Sequence, residues 1–230
     1  MLTAADIMTS PVLSVTPEAS VRDIANLLYT RRISGVPVID SDSRVLGIVS
    51  EGDLITHEAV VGQQRRSWWL TLIADDNALA RDYAKTRGQT ARDVMTSDVI
   101  TVAEDTSVAE IAKLLERHRI KRVPVLRDGR LVGIVTRANL LQAIATRDVA
   151  QPATVEDRAI RERLIAELRA EPWAHLHTKN IVVEGGVIFL WGFVESEAER
   201  QALRVAAERI PGVRRVEDHL ASAALTSSGI

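Results

Sequence analysis

The sequence feature that most constrains the fold is an internal repeat. The motif Asp-Ile-Met-Thr-Ser at residues 6–10 recurs as Asp-Val-Met-Thr-Ser at residues 93–97, and Val-Pro-Val at residues 36–38 recurs at residues 123–125 with the same offset. The second copy is then one residue shorter, in a turn where Asp-Gly at residues 128–129 indicates a two-residue hairpin. A deletion confined to a turn indicates two copies of one fold, because turns tolerate changes in length.

Each copy is predicted to fold in the order β-α-β-β-α. A short strand, at residues 12–15 or 99–102, precedes an amphipathic helix whose apolar side chains recur at i, i+3, i+4 and i+7. A hairpin and a closing helix follow. Units of about 50–60 residues bury too little apolar surface to be stable alone, so we predict that the two copies pack sheet to sheet as a pseudo-two-fold pair. The apolar helix positions are Val21, Ile24, Ala25 and Leu28 in the first copy and Val108, Ile111, Ala112 and Leu115 in the second.

The repeated Asp-Ile/Val-Met-Thr start, the Val-Pro-Val strand and the Gly-Ile-Val-Ser/Thr-x-x-Asp/Asn end resemble the CBS domain, and the tandem pair resembles the Bateman module. On this resemblance the first repeat covers residues 3–58 and the second 89–148, with a largely helical insert at 59–88. The resemblance implies a regulatory module that forms a homodimer and binds an adenosine-containing ligand between its repeats. AMP, ADP and ATP are the ligands we expect, and S-adenosylmethionine and cyclic di-AMP are others known in the family.

Two candidate clefts follow from the resemblance, because in the family each cleft combines the Ser/Thr-x-x-Asp of one copy with the first strand of the other. A carboxylate there can accept both ribose hydroxyls, and a neighbouring hydroxyl can donate to phosphate or sugar. The first cleft would use Ser50 and Asp53 with Met95, Thr96, Val99 and Ile100. The second would use Thr136 and Asn139 with Met8, Thr9, Val12 and Leu13, and with Lys121 and Arg122 for phosphate.

Each cleft departs from the family pattern in a different way. The first keeps Asp53, but Ser-Gly at residues 34–35 stands where the family often has basic residues that bind phosphate. The second has Lys-Arg at residues 121–122, but Asn139 lacks the charge and the bidentate acceptance of a carboxylate. A purely structural alternative also remains open, in which Asp53, Thr136 and Asn139 only cap helices and the two basic residues are ordinary solvated charges.

The pattern changes after residue 153, where the order becomes α-β-β-α-β. We predict a helix over residues 154–170, a β-hairpin over 181–194, a helix that begins with the capping-box sequence at 196–199, and a strand over 213–220. Together with the repeats, this predicts a mixed α/β and α+β chain with a small third domain.

This third segment resembles the BON domain over residues 151–220, with a flexible tail at 221–230. The resemblance rests on the strand that contains Gly192, on the capping-box helix and on Pro-Gly-Val at residues 211–213. It implies binding of phospholipid or of a protein partner. The segment from residue 151 onward carries 10 basic and 12 acidic residues, which disfavours simple attraction to anionic lipid.

Two other clusters leave alternatives open. Arg-Arg-Ser-Trp-Trp at residues 65–69 would suit contact with a membrane or nucleic acid, but Asp75 and Asp76 dilute the charge, so we favour packing of Trp68 and Trp69 on the module or at a dimer contact. His175 and His177 would share a face on a strand and could hold a metal. We favour a solvated loop, because no carboxylate or third histidine is close in sequence.

The composition excludes several classes of protein. The absence of cysteine excludes disulfides, thiolate catalysis and cysteine-based zinc sites, and no phosphate-loop or nucleophile-elbow motif is present. The net charge of −2 argues against nucleic acid as a partner, and residues 1–6 lack the features of a secretory signal. We therefore expect a cytoplasmic, non-enzymatic sensor without a metal. The rival hypothesis is a dimerisation platform with empty clefts, whose BON domain binds phospholipid or a macromolecule.

Overall fold

The structure is a computed structural model that describes residues 1–55, 88–146 and 152–222. The chain divides into two compact units. One comprises Met1–Val12, Thr101–Asp128 and Val132–Ile230, and the other comprises Leu13–Ile100 and Gly129–Leu131. The beginning of each copy is therefore grouped with the body of the other copy, and the third domain is grouped with the second copy.

Both copies contain the predicted amphipathic helix and hairpin, the predicted first strand forms only in the second copy, and each copy begins with a one-turn helix that the sequence analysis did not predict. A helix also begins at residue 51, where the described part of the first copy ends at residue 55. The elements are α1 (Ala4–Ile7), α2 (Val21–Arg31), β1 (Gly35–Ile39), β2 (Val45–Ser50), α3 (Ala91–Val94), β3 (Val102–Ala103), α4 (Val108–Arg117), β4 (Arg122–Arg127), β5 (Arg130–Thr136) and α5 (Arg137–Thr146).

The one-turn helices α1 and α3 form because Thr3 and Thr90 each begin a capping box. The carboxylate of Asp6 accepts from the backbone nitrogen of Thr3 at 2.9 Å and from its hydroxyl at 3.0 Å. The Asp93 carboxylate accepts from the same two groups of Thr90 at 3.1 and 2.8 Å. Each helix ends at a methionine with extended backbone, so the repeated Asp-x-Met motif is a helix end followed by an extended segment.

The predicted first strand of each copy is shorter than expected. In the second copy only Val102–Ala103 forms a strand, which pairs in parallel with β4, and in the first copy a single parallel bridge joins Val15 to Val38. The residues before these bridges are already paired elsewhere, since Thr9 forms an antiparallel bridge with Ile134 and Thr96 forms one with Ile48.

The core of the first copy lies between helix α2 and its hairpin. Ile24 and Leu28 of α2 pack with Val36 and Val38, whereas Ala25, predicted on the same apolar face, is exposed. Ala91 and Val94 of α3 belong to the same cluster. The start of the second copy therefore completes the core of the first, which explains why neither copy needs to be stable alone.

The third domain has the predicted α-β-β-α-β order, with a single turn of 3₁₀ helix at Leu176–Thr178 before the first strand. Strand β7 lies between β6, which is antiparallel to it, and β8, which is parallel. Both helices contribute to the core cluster on one face of this sheet. The elements are α6 (Val155–Arg169), β6 (Lys179–Glu184), β7 (Val187–Val194), α7 (Glu197–Arg209) and β8 (Arg215–Ser222).

Gly192 is required where β7 passes the 3₁₀ helix. Its φ is +123°, and an added Cβ would lie 2.2 Å from the backbone oxygen of Thr178, so no larger residue fits without moving the main chain. Strand β8 extends to Ser222, two residues beyond its predicted end. The predicted helical insert lies outside the described residues apart from Gly88, as do Trp68, Trp69 and the rest of the predicted tail.

Candidate functional site

The first predicted cleft is organised around the carboxylate of Asp53. Ser50, which directly precedes the helix starting at residue 51, donates to Oδ2 of Asp53 from its backbone nitrogen at 2.8 Å and from its hydroxyl at 2.6 Å. The other oxygen, Oδ1, accepts from the hydroxyl of Thr96 at 3.4 Å. Asp53 therefore does support the helix start, as the structural alternative expected, but this role engages only one of its two oxygens.

The strand-like segment around Thr96 is positioned by the hairpin of the first copy. Reciprocal backbone hydrogen bonds of 3.0 and 2.9 Å join Ile48 to Thr96. The preceding residue, Met95, lies against Gly47, where an added Cβ would be only 2.4 Å from the Met95 Sδ. The thioether side chain of Met95 is thus packed against the hairpin, one residue before Thr96. Val99 and Ile100 are half-buried in the same unit.

The second predicted cleft repeats this arrangement with an amide in place of the carboxylate. Thr136 donates to Oδ1 of Asn139 from its backbone nitrogen at 2.8 Å and from its hydroxyl at 2.7 Å. Thr9 pairs with Ile134 through backbone hydrogen bonds of 3.0 and 3.1 Å. Met8 lies against Gly133, where an added Cβ would be 2.1 Å from the Met8 Sδ.

The two clefts differ in what remains available to a ligand. Asn139 is 3% exposed, and its Nδ2 donates to the hydroxyl of Thr9 at 3.2 Å, so both ends of its amide are engaged by the protein. Asp53 is half-buried and, among residues 1–55, 88–146 and 152–222, only the exposed Thr96 donates to its Oδ1, through a long contact. The first cleft therefore presents the better acceptor for a pair of hydroxyl groups.

The other residues predicted for the second cleft differ from one another in burial and in the unit to which they belong. Lys121 is exposed, and its backbone oxygen accepts from the nitrogen of Arg137 at 3.2 Å. Arg122 is only 9% exposed, so the alternative that it is an ordinary solvated charge is wrong. Val12 is half-buried in the unit that contains Asn139. Leu13 packs instead against the hydrophobic core of the first copy.

Sequence reasoning missed three arginines of helix α6 that contact the start of the chain. Arg158 donates to both carboxylate oxygens of Asp6, at 2.8 and 3.1 Å. The other two contacts are with the segment that carries Thr9: Arg161 donates to the backbone oxygen of Met8 at 2.6 Å, and Arg169 donates to the hydroxyl of Ser10 at 2.8 Å. The segment opposite Asn139 is thus held by the third domain.

Arg161 is the most unusual of these arginines because it is buried. It also donates to the backbone oxygen of Ile181 at 2.9 Å, and burial lowers its pKa to about 10, which leaves it protonated at neutral pH. Its spacing from Leu164 and Leu168 places a charge on the apolar face of α6. This spacing is the signal that could have singled it out.

The carboxylate of Asp6 is held in its charged form. Burial alone would raise its pKa, but hydrogen bonds from Arg158 and Thr3 outweigh burial and lower the pKa below the ordinary aspartate value. The Arg158–Asp6 contact is a bidentate ion pair in which the aspartate side chain is 3% exposed. Such a pair has a defined geometry that an exposed monodentate pair lacks.

The two histidines of the third domain are not placed on a strand. His175 precedes the 3₁₀ helix and His177 lies within it. Nδ1 of His175 is 3.3 Å from Oε1 of Glu199, and the same oxygen accepts from Lys179 at 2.7 Å. Across residues 1–55, 88–146 and 152–222, no three histidine or acidic side chains are grouped so that they could hold a metal ion.

In the parts of the chain that the structure describes, every helix is too short or too polar to cross a bilayer.

Comparison with known families assigns most of the described chain. The profile of the CBS domain matches residues 4–59 and 91–146, and the profile of the BON domain matches residues 156–224. The first two matches contain the residues of both candidate clefts, and the third contains helix α6 except for its first residue, Val155.

Similar proteins match a little more than half of the chain. The chloroplastic CBS domain-containing protein CBSX1 of Arabidopsis thaliana is 36% identical over 139 residues, which are 56% of this chain and 57% of that protein. An uncharacterized protein of Methanocaldococcus jannaschii is 33% identical over 150 residues, which are 60% of this chain and 89% of that protein. This chain therefore spans little more than half the length of its plant relative.

A solved structure provides a comparison with a bound ligand. The crystal structure of CBSX2, a protein of Arabidopsis thaliana, in complex with AMP superimposes with a TM-score of 0.55 at 34% identity and covers 63% of this chain and 97% of that chain.

Proposed function

This chain belongs to the CBS domain family and carries a BON domain after its two CBS domains, and from that membership we propose that it is a non-enzymatic sensor of an adenosine nucleotide. AMP, ADP or ATP is the proposed ligand, with S-adenosylmethionine and cyclic di-AMP as further candidates. The similar protein CBSX2 was crystallised with AMP, and its likeness to this chain covers 63% of the chain.

The observation that carries the proposal is the half-engaged carboxylate of Asp53. Ser50 fixes its Oδ2, whereas Oδ1 faces the exposed hydroxyl of Thr96 at 3.4 Å. A carboxylate fixed on one side is preorganised to accept the two hydroxyls of a ribose with its remaining lone pairs. Met95, held against Gly47, supplies an apolar side chain next to it, and Val99 and Ile100 complete the proposed wall.

The second cleft is the proposed weaker site. Asn139 carries no charge and its amide is engaged by Thr136 and Thr9. Lys121 is exposed at the start of the Val-Pro-Val strand and would attract phosphate there. A ligand with several phosphates would therefore gain relatively more in this cleft than a nucleoside would.

The signal would pass from the repeats to the BON domain or to a partner, and the CBS module would form a homodimer. Such a relay requires that the ligand bind two conformations with different affinity, because a ligand with equal affinity for both shifts nothing.

A second candidate function is a dimerisation platform whose clefts stay empty and whose BON domain binds phospholipid or a protein. The observation in its favour is that Asn139 is buried with both ends of its amide already engaged, which is the arrangement expected of a structural residue.

A titration of the full chain with AMP, ADP, ATP, S-adenosylmethionine and cyclic di-AMP separates these functions. Calorimetry and thermal unfolding would be recorded for the wild type, Asp53→Ala and Asn139→Ala. At about 100 times the dissociation constant a ligand adds about 2.7 kcal/mol of stability. A response lost in Asp53→Ala and kept in Asn139→Ala supports the sensor with the first cleft as its site. No response to any of the five, up to millimolar concentration, contradicts it and favours the platform.

A further inference from the structure

We propose that the segment from Asp6 to Ser10 mechanically couples the second cleft, and not the first, to the BON domain through the arginines of helix α6. The use of this connection as a ligand relay rests on the proposed function. The coupling itself follows from contacts within the protein and can be measured without any ligand.

One side of the segment is held by helix α6 along its whole length. Arg158, Arg161 and Arg169 contact Asp6, Met8 and Ser10, three alternate residues. The side chains of Asp6 and Ser10 and the backbone oxygen of Met8 are the three points at which the BON domain holds the chain. Charge-assisted hydrogen bonds of this kind fix position more strongly than neutral ones.

The other side of the same segment forms a wall of the second cleft. The hydroxyl of Thr9, between two of the arginine contacts, accepts from Nδ2 of Asn139 at 3.2 Å, and its backbone pairs with Ile134. The hydroxyl of Ser10 both accepts from Arg169 and donates to the backbone oxygen of Val132 at 2.9 Å. A displacement of Thr9 or Ser10 by a ligand would therefore change the groups that α6 holds.

Burial of Arg161 makes this connection stiff. Its guanidinium joins Met8 to Ile181 of strand β6, since Nη2 donates to the first and Nε to the second. If Met8 moved away, a buried charge would lose a hydrogen-bond acceptor, which is costly. Asn180, which directly precedes Ile181 in β6, donates to Gln142 of helix α5 at 2.8 Å. Strand β6 is therefore also bonded to the closing helix of the second copy.

The equivalent segment of the other repeat is held in a different way. Both aspartates accept from the threonine of their capping box, but Asp93 accepts in addition from the backbone nitrogen of Gln89, whereas Asp6 accepts in addition from the side chain of Arg158. Thr96 is bonded to Ile48 and faces Asp53. The tandem repeat thus supplies a matched comparison, since each substitution in the second cleft has a counterpart in the first.

Hydrogen–deuterium exchange of the ligand-free full chain tests the coupling directly. Asn139→Ala removes the contact with Thr9, and Asp53→Ala is its counterpart in the first cleft. We expect Asn139→Ala to speed exchange in peptides of α6 and β6 by at least about 5-fold, the lower end of typical coupling between sites. Asp53→Ala should leave these peptides unchanged. The proposal would be overturned if exchange in α6 changed equally in both variants, or if it changed in neither.

The reverse direction guards against a variant that simply unfolds the second copy. Arg169→Ala changes an exposed side chain, and because coupling is reciprocal it should speed exchange at Thr9 and Ile134 without affecting Thr96 and Ile48. Arg163→Ala, at an exposed position of the same helix, is the control and should affect neither pair. If Arg169→Ala leaves Thr9 and Ile134 as protected as in the wild type, the coupling is absent.

A parallel exchange experiment with AMP keeps the two proposals separate. If AMP slows exchange in Asp53→Ala both in the second-cleft peptides and in α6, the result would support use of the coupling as a relay. If AMP alters no peptide of any variant, nucleotide sensing by AMP is contradicted, whereas the ligand-free experiments still decide the coupling.

Discussion

The side-chain nitrogen of Asn139 donates a 3.2 Å hydrogen bond to the hydroxyl of Thr9. At the equivalent place in the first copy the direction is reversed, because the hydroxyl of Thr96 donates to Oδ1 of Asp53 at 3.4 Å. The carboxylate of Asp53 thus has an oxygen that can still accept from a ligand, whereas both ends of the Asn139 amide form hydrogen bonds within the protein. Two copies with the same main-chain arrangement have consequently become chemically different.

Asp53→Asn is predicted to weaken AMP binding by about tenfold or more. The amide oxygen can still accept from Ser50, so the local fold should persist, but a hydrogen bond to a charged group contributes about 1.5–3 kcal/mol, and its charge would be lost. Calorimetric titration of the full chain with AMP measures the effect. Thr136→Ser, which keeps the hydroxyl in the second copy, is the control. AMP affinity equal to that of the wild type would contradict a ribose-binding role for Asp53.

Gly133→Ala and Gly47→Ala are predicted to destabilise their copies by about 1–3 kcal/mol each, the usual effect of overpacking. The added Cβ would lie 2.1 Å from the Met8 Sδ and 2.4 Å from the Met95 Sδ. Each methionine must then move from the position next to its cleft.

Urea titration monitored by hydrogen exchange of the β4–β5 and β1–β2 peptides measures the two losses. The double variants Gly133→Ala/Met8→Ala and Gly47→Ala/Met95→Ala provide the control. Each should lose less stability than the sum of its single substitutions, since the clash is absent. Additive losses would show that the methionine is not what limits the space beside the glycine.

The repeated architecture was predictable from the sequence because it depends on short-range patterns. Helix α2 follows from the spacing of its apolar residues, and the hairpin that ends at Ser50 follows from the turn between two apolar runs. The pairing of Ser50 with Asp53 follows in the same way, since residues three apart at a helix start face each other.

The contacts that distinguish the two clefts were not predictable from local pattern. The hydrogen bond from Arg161 to Met8 joins residues 153 positions apart, and it depends on how the third domain packs against the start of the chain. Burial of Arg122 and the packing of Leu13 in the core of the first copy are also tertiary results. An arginine on an apolar helix face indicates a buried partner but does not identify it.

Asp6→Asn is predicted to destabilise the protein by about 1 kcal/mol more than Asp93→Asn. Both substitutions weaken a capping box, but only Asp6 also pairs with Arg158. The arginine side chain is 44% exposed, so the solvent-screened contribution belongs at the lower end of the range for charged hydrogen bonds. Hydrogen exchange of peptides from α1 and α3 at increasing urea concentration measures the two losses.

The pH dependence of this contact has a defined sign. The pKa of Asp6 in the folded chain is lower than the ordinary value of about 3.9, so its stabilisation is complete above that value and is lost as the pH falls through the folded pKa. In Asp6→Asn the stability of α1 should therefore fall less steeply with decreasing pH than it does in the wild type. Equal acid sensitivity of α1 in the variant and the wild type would contradict the ion pair.

Glu199→Gln is predicted to lower the free energy of unfolding of the BON domain by about 3–5 kcal/mol. This loss is larger than those predicted for the glycine substitutions and for Asp6→Asn. Glu199 and Lys179 form an ion pair at 2.7 Å in which both side chains are at most 5% exposed. The backbone nitrogen of Glu195 donates to the other carboxylate oxygen at 2.7 Å. Removing the negative charge leaves the buried ammonium of Lys179 without the carboxylate that is hydrogen-bonded to it.

The acid response of this pair gives an independent test. Burial alone would raise the pKa of Glu199, but Lys179 and the Glu195 backbone outweigh it and lower the pKa below the ordinary glutamate value, about 4.3. The stabilisation is therefore complete above that pH and is lost as the pH falls through the folded pKa. Exchange of β6 and α7 peptides in urea measures it as the pH is lowered from neutral to well below the ordinary glutamate value. Glu199→Gln/Lys179→Met is the control, and it should recover part of the loss because no charge remains buried. A double variant no more stable than Glu199→Gln, or an acid response of Glu199→Gln as steep as that of the wild type, would contradict this account of the pair.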